Sequence, residues 1–487
     1  MIPLVVVENP KRWPFEMEGV EVVSARAYLT DPTYAERKRA AVFNVCRRYG
    51  YQTMGYYVSL LAAARGHRPL PSVATLQSLG LDPVVRLVSD ELEDLIQANL
   101  RPLKSDEFKL SIYFGRNVAR KYDRLARALF NQFPAPFLRA RFVLENERWR
   151  LASIRPIAGG EIPETHRDFV LQRAREYFER PARVTRARET RYDMAVLWSP
   201  DDPQSPSNER AIKRLTRAAS RQGIAVELIT PDDYGRLAEF DALFIRETTR
   251  VDHHTYRFAR RAAAEGLVVL DDPESIVRCT NKVYQAELFQ RHGIPCPATL
   301  VVHEGNVGDV ADRVGLPCVL KRPDGAFSQG VVKVADNGEL LRALADLFEE
   351  SDLVVAQAFR PSDFDWRVGV LDGKALYAAR YHMAKGHWQI VDDSGRERRY
   401  GKVEALPIGE APAAVVETAV RSASLIGDGL YGVDLKEIGD EVLVMEVNDN
   451  PNLDGGFEDA VLKDELWDTL VGWFRTRLDR RGGENGR

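Results

Sequence analysis

Two short apolar runs separated by a turn dipeptide constrain this chain more than any other feature. The first run is Tyr431–Glu437 and the second is Val442–Asn448, with Gly439-Asp440 between them. Apolar and β-branched residues on both sides of a Gly-Asp pair are typical of antiparallel strands joined by a tight turn. We therefore predict a β-hairpin near the carboxyl end of the chain.

The polar residues of this hairpin predict a metal site. Asp434 lies on the first strand, whereas Glu446 and Asn448 lie two residues apart on the second, so that both point to one face. Carboxylates on neighbouring strands repel each other unless a cation lies between them. Carboxylate and amide oxygens are ligands that Mg²⁺ accepts together with phosphate oxygens. The alternative is a half-buried hairpin whose acids are solvated.

The composition of the 487-residue chain, with 45% hydrophobic and 29% charged residues, is that of an ordinary soluble protein. Its length predicts about two to four domains. The net charge of −4 argues against a general nucleic-acid binder. We find neither a membrane span nor a secretion signal, and therefore expect a cytoplasmic protein. The four widely spaced cysteines favour neither zinc nor disulfides, and no internal repeat is apparent.

Residues 1–180 predict a mixed α/β domain. Its expected strands are 4–7, 20–24, 108–114 and 137–144, and its expected helices are 32–65, 71–79, 89–99 and 118–130. The first helix carries a basic face, which is either a solvated surface or a site for an acidic ligand: Arg37, Lys38, Arg39, Arg47 and Arg48. The arginine-rich stretch 166–191 predicts a helix followed by a connector.

Alternating strands and helices from Tyr192 predict a small parallel α/β domain over 181–275. Its expected strands are 193–198, 225–229, 241–245 and 267–270, and its expected helices are 207–222 and 251–264. The loop that begins with Arg246 follows the carboxyl end of a strand, where sheets of this kind bind ligands.

A lysine-bearing strand and a glycine-flanked loop follow. Lys282 lies near the start of a helix predicted over 281–292, with Thr280 as a candidate N-cap. The strand 318–321 ends in Lys321, and the loop 323–330 leads into the strand 331–334. Such a loop can bind phosphates through its N–H groups and the Ser328 hydroxyl, and a tight turn without a ligand is the alternative. We also expect a strand at 374–381 and helices at 413–426 and 461–478.

The order of these parts resembles the ATP-grasp ligases, and among them the RimK-like branch. The resemblance rests on the two lysines, the glycine hairpin, an Asp-x-Arg sequence at 365–367, and Glu446-Val447-Asn448 followed by Asn450-Pro451. Residues 1–180 are similar to the N-terminal domain of some RimK-like ATP-grasp proteins. The implied fold is a multidomain α/β and α+β protein, in which two α+β lobes, 276–355 and 356–480, clasp ATP.

The resemblance also implies roles for particular residues, with ATP and Mg²⁺, or Mn²⁺ in its place, as cofactors. Lys282, Lys321 and Ser328 would bind the phosphates. Gln357, Ala358 and Phe359 would form the hinge facing adenine, with backbone groups presented to the base, and Asp363 would hold the ribose. Asp434, Glu446 and Asn448 would bind the metal. Arg367 and Arg380, with Lys321, would stabilise the moving phosphoryl group. The substrate would meet Arg246, Lys385, His387 and Asn450. Ala358 stands where relatives often have glutamate, and Asp363 is shorter than the more usual glutamate.

The implied reaction joins a carboxylate to an amine. Phosphorylation turns the carboxylate into an acylphosphate that an amine attacks, so no nucleophilic side chain is required. The expected substrate is a small amino acid or peptide, or the carboxyl group of a protein, and not a nucleic acid or membrane; assembly into a homo-oligomer is left open. The alternatives are a phosphotransferase on the same scaffold and a non-catalytic nucleotide-binding module.

Overall fold

The computed structural model describes residues 3–15, 19–37, 40–178, 190–202, 204–324, 330–385, 387–392 and 399–484. The chain divides into two compact units. The first contains Met1–Asp193, Ile229–Asp241 and Leu478–Arg487, and the second contains Met194–Leu228 and Ala242–Arg477. Among the described residues, no helix combines the length and the apolar character that a membrane crossing requires.

The first unit contains a parallel sheet and an antiparallel sheet. The parallel sheet has the order β2-β1-β3-β4 and the antiparallel sheet the order β5-β6-β7, with these strands: β1 Pro3–Val7, β2 Glu21–Ser24, β3 Ala41–Asn44, β4 Arg68–Leu70, β5 Glu107–Tyr113, β6 Phe137–Glu145 and β7 Arg148–Pro156. Its helices are α1 Ala25–Thr30, α2 Pro32–Ala35, α3 Met54–Ala64, α4 Val73–Leu79, α5 Asp82–Glu91, α6 Glu93–Leu100, α7 Asp123–Gln132 and α8 Arg167–Phe178. The predicted mixed α/β character is confirmed.

The long helix expected over 32–65 is wrong. Of the residues described in that range, only those of α2 and α3 are helical, and the stretch between them contains β3, a buried strand inside the parallel sheet. The apolar Ala41-Val42-Phe43 run pairs with β1, and burial on both faces leaves no polar alternation to mark it as a strand. The helix expected over 89–99 is two helices, α5 and α6, and the strand β7 was not anticipated.

A second parallel sheet, most of it in the second unit, shows the alternation of strands and helices expected after Tyr192. Its order is β11-β10-β8-β9, formed by β8 Tyr192–Leu197, β9 Ile224–Ile229, β10 Ala242–Ile245 and β11 Val268–Leu270. The accompanying helices are α9 Glu209–Arg221, α10 His254–Ala264 and α11 Pro273–Thr280.

These two parallel sheets are copies of one supersecondary arrangement, which corrects the expectation that the chain has no internal repeat. Both have the order second-first-third-fourth strand, and α3 and α10 begin and end 200 residues apart. Each helix ends in Ala-Ala-Ala, and two residues after the last alanine comes a glycine at positive φ, Gly66 at 68° and Gly266 at 77°. The repeat escapes notice in the sequence because little besides this short segment is shared.

The third sheet forms a lobe with the order β12-β15-β13-β14, and its neighbouring strands are all antiparallel. Its elements are β12 Thr299–Val302, β13 Cys318–Lys321, β14 Val331–Val334, β15 Val354–Ala358, α12 Lys282–His292, α13 Val310–Arg313 and α14 Asn337–Phe348. Asn281, not Thr280, caps α12, because its side chain accepts the N–H of Tyr284 while Thr280 ends α11.

The fourth sheet forms the other lobe, with the order β20-β17-β16-β21-β22. Its strands and the neighbouring elements are β16 Phe364–Leu371, β17 Lys374–His382, β18 Val391–Asp392, β19 Arg399–Tyr400, β20 Val403–Leu406, β21 Leu430–Ile438, β22 Glu441–Asp449, α15 Ala413–Ala423 and α16 Asp464–Glu484. One face of the sheet packs its apolar residues against α15, among them Trp366, Val433 and Leu435. The opposite face carries the polar residues described next.

Candidate active site

The predicted hairpin is present as β21 and β22, with Gly439 at φ 61° in the turn. Asp434 lies directly opposite Glu446, and Asn448 lies two residues further along the same face. The Asn448 amide nitrogen is 3.2 Å from Asp434 Oδ2 and 3.4 Å from Glu446 Oε1. The three side chains therefore converge as the sequence predicts.

The donor set fits Mg²⁺ bound together with a phosphorylated ligand. Within the described ranges, no group of three or more His, Cys, Asp or Glu side chains is placed to hold a metal by itself. Asp434, Glu446 and Asn448 provide two carboxylates and one amide oxygen, and Mg²⁺ sites of this kind take their remaining oxygens from phosphates and water.

A guanidinium changes the electrostatic argument for this cluster. Arg367 donates from Nε and Nη2 to the two oxygens of Asp434, at 2.6 and 2.7 Å. Burial raises the pKa of Asp434, and Arg367 opposes that effect. Repulsion between the two carboxylates is thus partly offset by protein, and a metal is not the only cation available to Asp434. The metal assignment accordingly rests on the convergence of oxygens.

Both predicted phosphate lysines lie beside this cluster. Lys282 Nζ is 4.0 Å from Glu446 Oε2. Burial, opposed by Glu446, lowers the pKa of Lys321 to about 8. Although burial raises the pKa of Glu446, Lys282 and Lys321 together bring it below its usual value. Both lysines therefore lie close enough to Glu446 to interact with its carboxylate electrostatically. Ser328, the third predicted phosphate ligand, lies outside the described residues.

The structure at residues 357–359 differs from the adenine hinge that the sequence predicts. The N–H of Ala358 donates to Ala298 O at 2.8 Å, and the N–H of Phe359 donates to Pro317 O at 3.2 Å. Neither N–H is available to a base, because the strand β15 and its extension use both. The Gln357 side chain instead accepts a hydrogen bond from Lys321 Nζ at 2.7 Å, a role that the sequence gives no sign of.

The remaining predicted ligand residues lie near the end of β15. Asp363 is exposed, and its carbonyl accepts the N–H of Met383. Lys385 is exposed, and His387 Nδ1 accepts the N–H of Gln389. The neighbouring Trp388 contacts Phe359 edge to face, with ring centroids 5.7 Å apart. The structure thus brings the 383–389 loop to the expected hinge, and the substrate role of Lys385 and His387 stays a prediction.

Arg367 and Arg380 cannot act together on one phosphoryl group, which corrects their joint assignment. Arg367 pairs across the sheet with Asp434, whereas Arg380 pairs with Trp366. Neighbouring strand residues point to opposite faces, so Arg380 lies on the face that packs against α15. Its guanidinium lies 4.9 Å from the Trp366 ring and 5.1 Å from the Phe364 ring.

Arg246 and Asn450 were expected to bind the substrate. The structure shows that their side chains instead form hydrogen bonds within the protein. Arg246 is fully buried and donates to Ser207 Oγ, Asn450 Oδ1 and the carbonyls of Pro206 and Pro451. Burial lowers its pKa to about 10. The Asn450 amide also donates to Glu247 O. With its guanidinium bonded to protein on three nitrogens, Arg246 has no fork left for a substrate carboxylate.

Sequence reasoning missed further polar residues on the site face. Lys436 is buried and donates to Ser362 Oγ and Asp365 Oδ1. Arg367 lies 4.6 Å from the ring of Tyr381, whose hydroxyl donates to the buried Glu458. The Asp-x-Arg sequence was a signal for Asp365, but nothing in the sequence pairs it with Lys436.

Two domain families match this chain. Residues 25–173 match the RimK-like ATPgrasp N-terminal domain, and residues 279–462 match the RimK-like ATP-grasp domain. The division into four domains at 180, 275 and 355 stays a prediction.

Two curated relatives and one solved structure illustrate what this chain is similar to. A probable alpha-L-glutamate ligase of Parasynechococcus marenigrum is 26% identical over 321 residues, covering 60% of this chain and 65% of the relative. A probable alpha-L-glutamate ligase 2 of Shewanella sp. is 26% identical and covers 52% of this chain and 88% of the relative. The D-alanine–D-alanine ligase of Bacillus anthracis has a TM-score of 0.48 at 16% identity, covering 60% of this chain and 99% of that structure.

Proposed function

We propose, from the premise that this chain belongs to the RimK-like branch of the ATP-grasp ligases, that it joins a carboxylate to an amine. The reaction consumes ATP with Mg²⁺ and releases ADP and phosphate. An acylphosphate of the carboxylate substrate is the intermediate, and the product is an amide.

One observation carries this proposal. Three cationic side chains lie beside the carboxylates of Asp434 and Glu446. The ammonium groups of Lys282 and Lys321 attract the Glu446 carboxylate, and the Arg367 guanidinium pairs with Asp434. Three cations beside the buried Asp434 and the partly exposed Glu446 form a site that suits an anion together with a divalent cation. A nucleotide triphosphate with Mg²⁺ has that charge pattern.

Each group has a defined task in phosphoryl transfer. Mg²⁺, held by Asp434, Glu446 and Asn448, would neutralise phosphate charge. Lys282 and Lys321 would bind phosphate oxygens as point charges. Arg367, already fixed by two bonds to Asp434, would present its remaining N–H groups to the phosphoryl group as charge shifts. The reaction requires no nucleophilic side chain, because the substrate carboxylate attacks the γ-phosphate of ATP directly.

The choice of amine comes from the relatives. Because these relatives are named alpha-L-glutamate ligases, L-glutamate is the first amine to test. The carboxylate is an amino acid, a peptide or a protein carboxyl group, and the exposed Lys385 with the half-buried His387 is the candidate surface for it.

The test measures ADP release with Mg²⁺ and ATP across a matrix of amino acids and short peptides, with mass spectrometry of the products. A ligase releases ADP only when both a carboxylate and an amine are present, and the product mass equals the sum of the two substrates less one water. Hydroxylamine in place of the amine should give a hydroxamate, because it traps an acylphosphate. A stable phosphorylated product with no amide would instead favour a phosphotransferase and refute the proposal.

A further inference from the structure

The strand that carries the metal-ligand residues lies at an edge of its sheet. β22 is the last strand in the order β20-β17-β16-β21-β22, so alternate backbone groups along it face away from β21. Val447 lies between Glu446 and Asn448, and its N–H and C=O both point outward. Whatever binds these two groups sets the position of the residues on either side.

Gln285 of α12 binds both of them. Its Oε1 accepts the N–H of Val447 at 2.8 Å, and its Nε2 donates to the Val447 carbonyl at 2.9 Å and to the Cys279 carbonyl at 2.6 Å. The side chain is 4% exposed. A side-chain amide here does what the peptide group of a neighbouring strand would do, offering one donor and one acceptor side by side.

The same helix carries a predicted phosphate ligand. Lys282 begins α12 three residues before Gln285, and its Nζ lies 4.0 Å from Glu446 Oε2. Residues three apart lie on one side of a helix, so both side chains reach toward β22. The helix therefore contacts β22 at two points, one by charge and one by paired hydrogen bonds.

From this geometry we propose that Gln285 is a positioning residue of the ligase. It holds Glu446 and Asn448 in register with Lys282, so that the metal ligands and the phosphate lysine keep one fixed arrangement. This inference rests on the proposed function, because it takes Glu446 and Asn448 to bind the metal. Groups that orient metal ligands commonly change metal affinity about 10–100-fold when they are replaced.

Two variants separate the two halves of the paired bond. Gln285→Glu keeps an acceptor for the Val447 N–H but loses the donor to its carbonyl. Gln285→Met keeps the volume and loses both bonds. Gln290→Met is the matched control, because Gln290 lies on the same helix and its side chain is exposed. Circular dichroism and thermal melting establish that each variant is folded.

The measurements are Mn²⁺ affinity in the presence of a non-hydrolysable ATP analogue and hydrogen exchange of the peptide that contains Val447. We expect both Gln285 variants to bind Mn²⁺ about 10–100-fold more weakly than the wild type, while Gln290→Met binds it normally. The Val447 amide should exchange fastest in Gln285→Met and more slowly in Gln285→Glu, where an acceptor remains. ADP release should then require correspondingly more Mg²⁺.

The outcomes are distinguishable. Wild-type Mn²⁺ affinity in a folded Gln285→Glu protein overturns the positioning role and leaves the proposed function intact. Should Gln285→Met fail to fold, Gln285→Glu alone decides, because it is nearly isosteric. If the wild type itself binds no Mn²⁺ with the nucleotide analogue, the metal site is wrong, and both the proposed function and the role of Gln285 fall.

Discussion

Lys321 should take up a proton when ATP binds, and this uptake is a direct test of its assignment to the phosphates. Lys321 ends β13 beside Glu446 and Lys282, and burial lowers the pKa of its ammonium to about 8. A triphosphate in contact with the ammonium favours the charged form and raises the pKa again. ATP binding near pH 8 should therefore draw a proton from the buffer.

The size of the effect follows from the pKa. With a free-state pKa of about 8 and a bound-state pKa above about 10, binding takes up about 0.5 proton at pH 8 and about 0.9 at pH 9. Because the neutral lysine must first be protonated, the Kd for ATP should rise about tenfold between pH 7 and pH 9. Below pH 7 the lysine is already charged, and its contribution to the pH dependence should vanish, so that only ionisation of the ATP phosphate remains.

The assay is isothermal titration calorimetry at pH 8.5 in two buffers whose ionisation enthalpies differ. Their difference in observed enthalpy gives the number of protons taken up. Lys321→Met should abolish the uptake and weaken binding, and the matched control Lys374→Met, an exposed residue at the start of β17, should keep the wild-type uptake. Equal uptake in Lys321→Met and wild type would show that another group titrates and that Lys321 does not bind the phosphates.

The same lowered pKa affects stability in the free protein. The pKa of Lys321 is about 8 in the folded protein, whereas the ordinary pKa of a lysine is 10.5. Between those values the unfolded chain binds more protons than the folded chain, so this lysine makes the free energy of unfolding rise with pH across that window. Chemical denaturation at pH 7.5 and pH 9.5 should show a smaller rise, or a larger fall, in Lys321→Met than in the wild type. A pH dependence identical in both proteins would contradict the lowered pKa.

Three further predictions concern charged residues. Glu446→Gln should stay folded and lose ADP formation by orders of magnitude, because a negative metal ligand is removed; near-normal turnover at low Mg²⁺ would contradict the assignment. Arg246→Met should lower the free energy of unfolding by about 3 kcal/mol or more, since buried acceptors lose their donor, whereas the exposed Arg250→Met should change it by less than about 0.5 kcal/mol; equal melting temperatures would refute this. Arg367→Met should lower kcat far more than Arg380→Met, because only Arg367 shares the face of Asp434; equal losses would refute the face assignment.

The sequence by itself determined the hairpin and the convergence of Asp434, Glu446 and Asn448 on one of its faces. Alternation along one strand is a local property, so the spacing of Glu446 and Asn448 places both on one face without any knowledge of the rest of the fold. The parallel α/β domain was likewise predictable, because strands and helices alternate at short intervals in the chain. The resemblance to the ATP-grasp ligases in the order of the motifs added the two-lobed fold and the reaction class.

Only the tertiary structure decided which polar groups meet. Whether Arg380 shares a face with Arg367 depends on the register between β16 and β17, and one residue of register exchanges the two faces of a strand. Two of the four partners of Arg246, Asn450 and Pro451, lie about 200 positions away in the chain. Gln285 binds Val447 because an edge strand leaves its outward backbone groups to be satisfied, and a buried amide of the right reach lies opposite. The alternation of side chains along a strand follows from the sequence alone. Strand register and the pairing of buried polar groups are decided only when distant segments pack against each other.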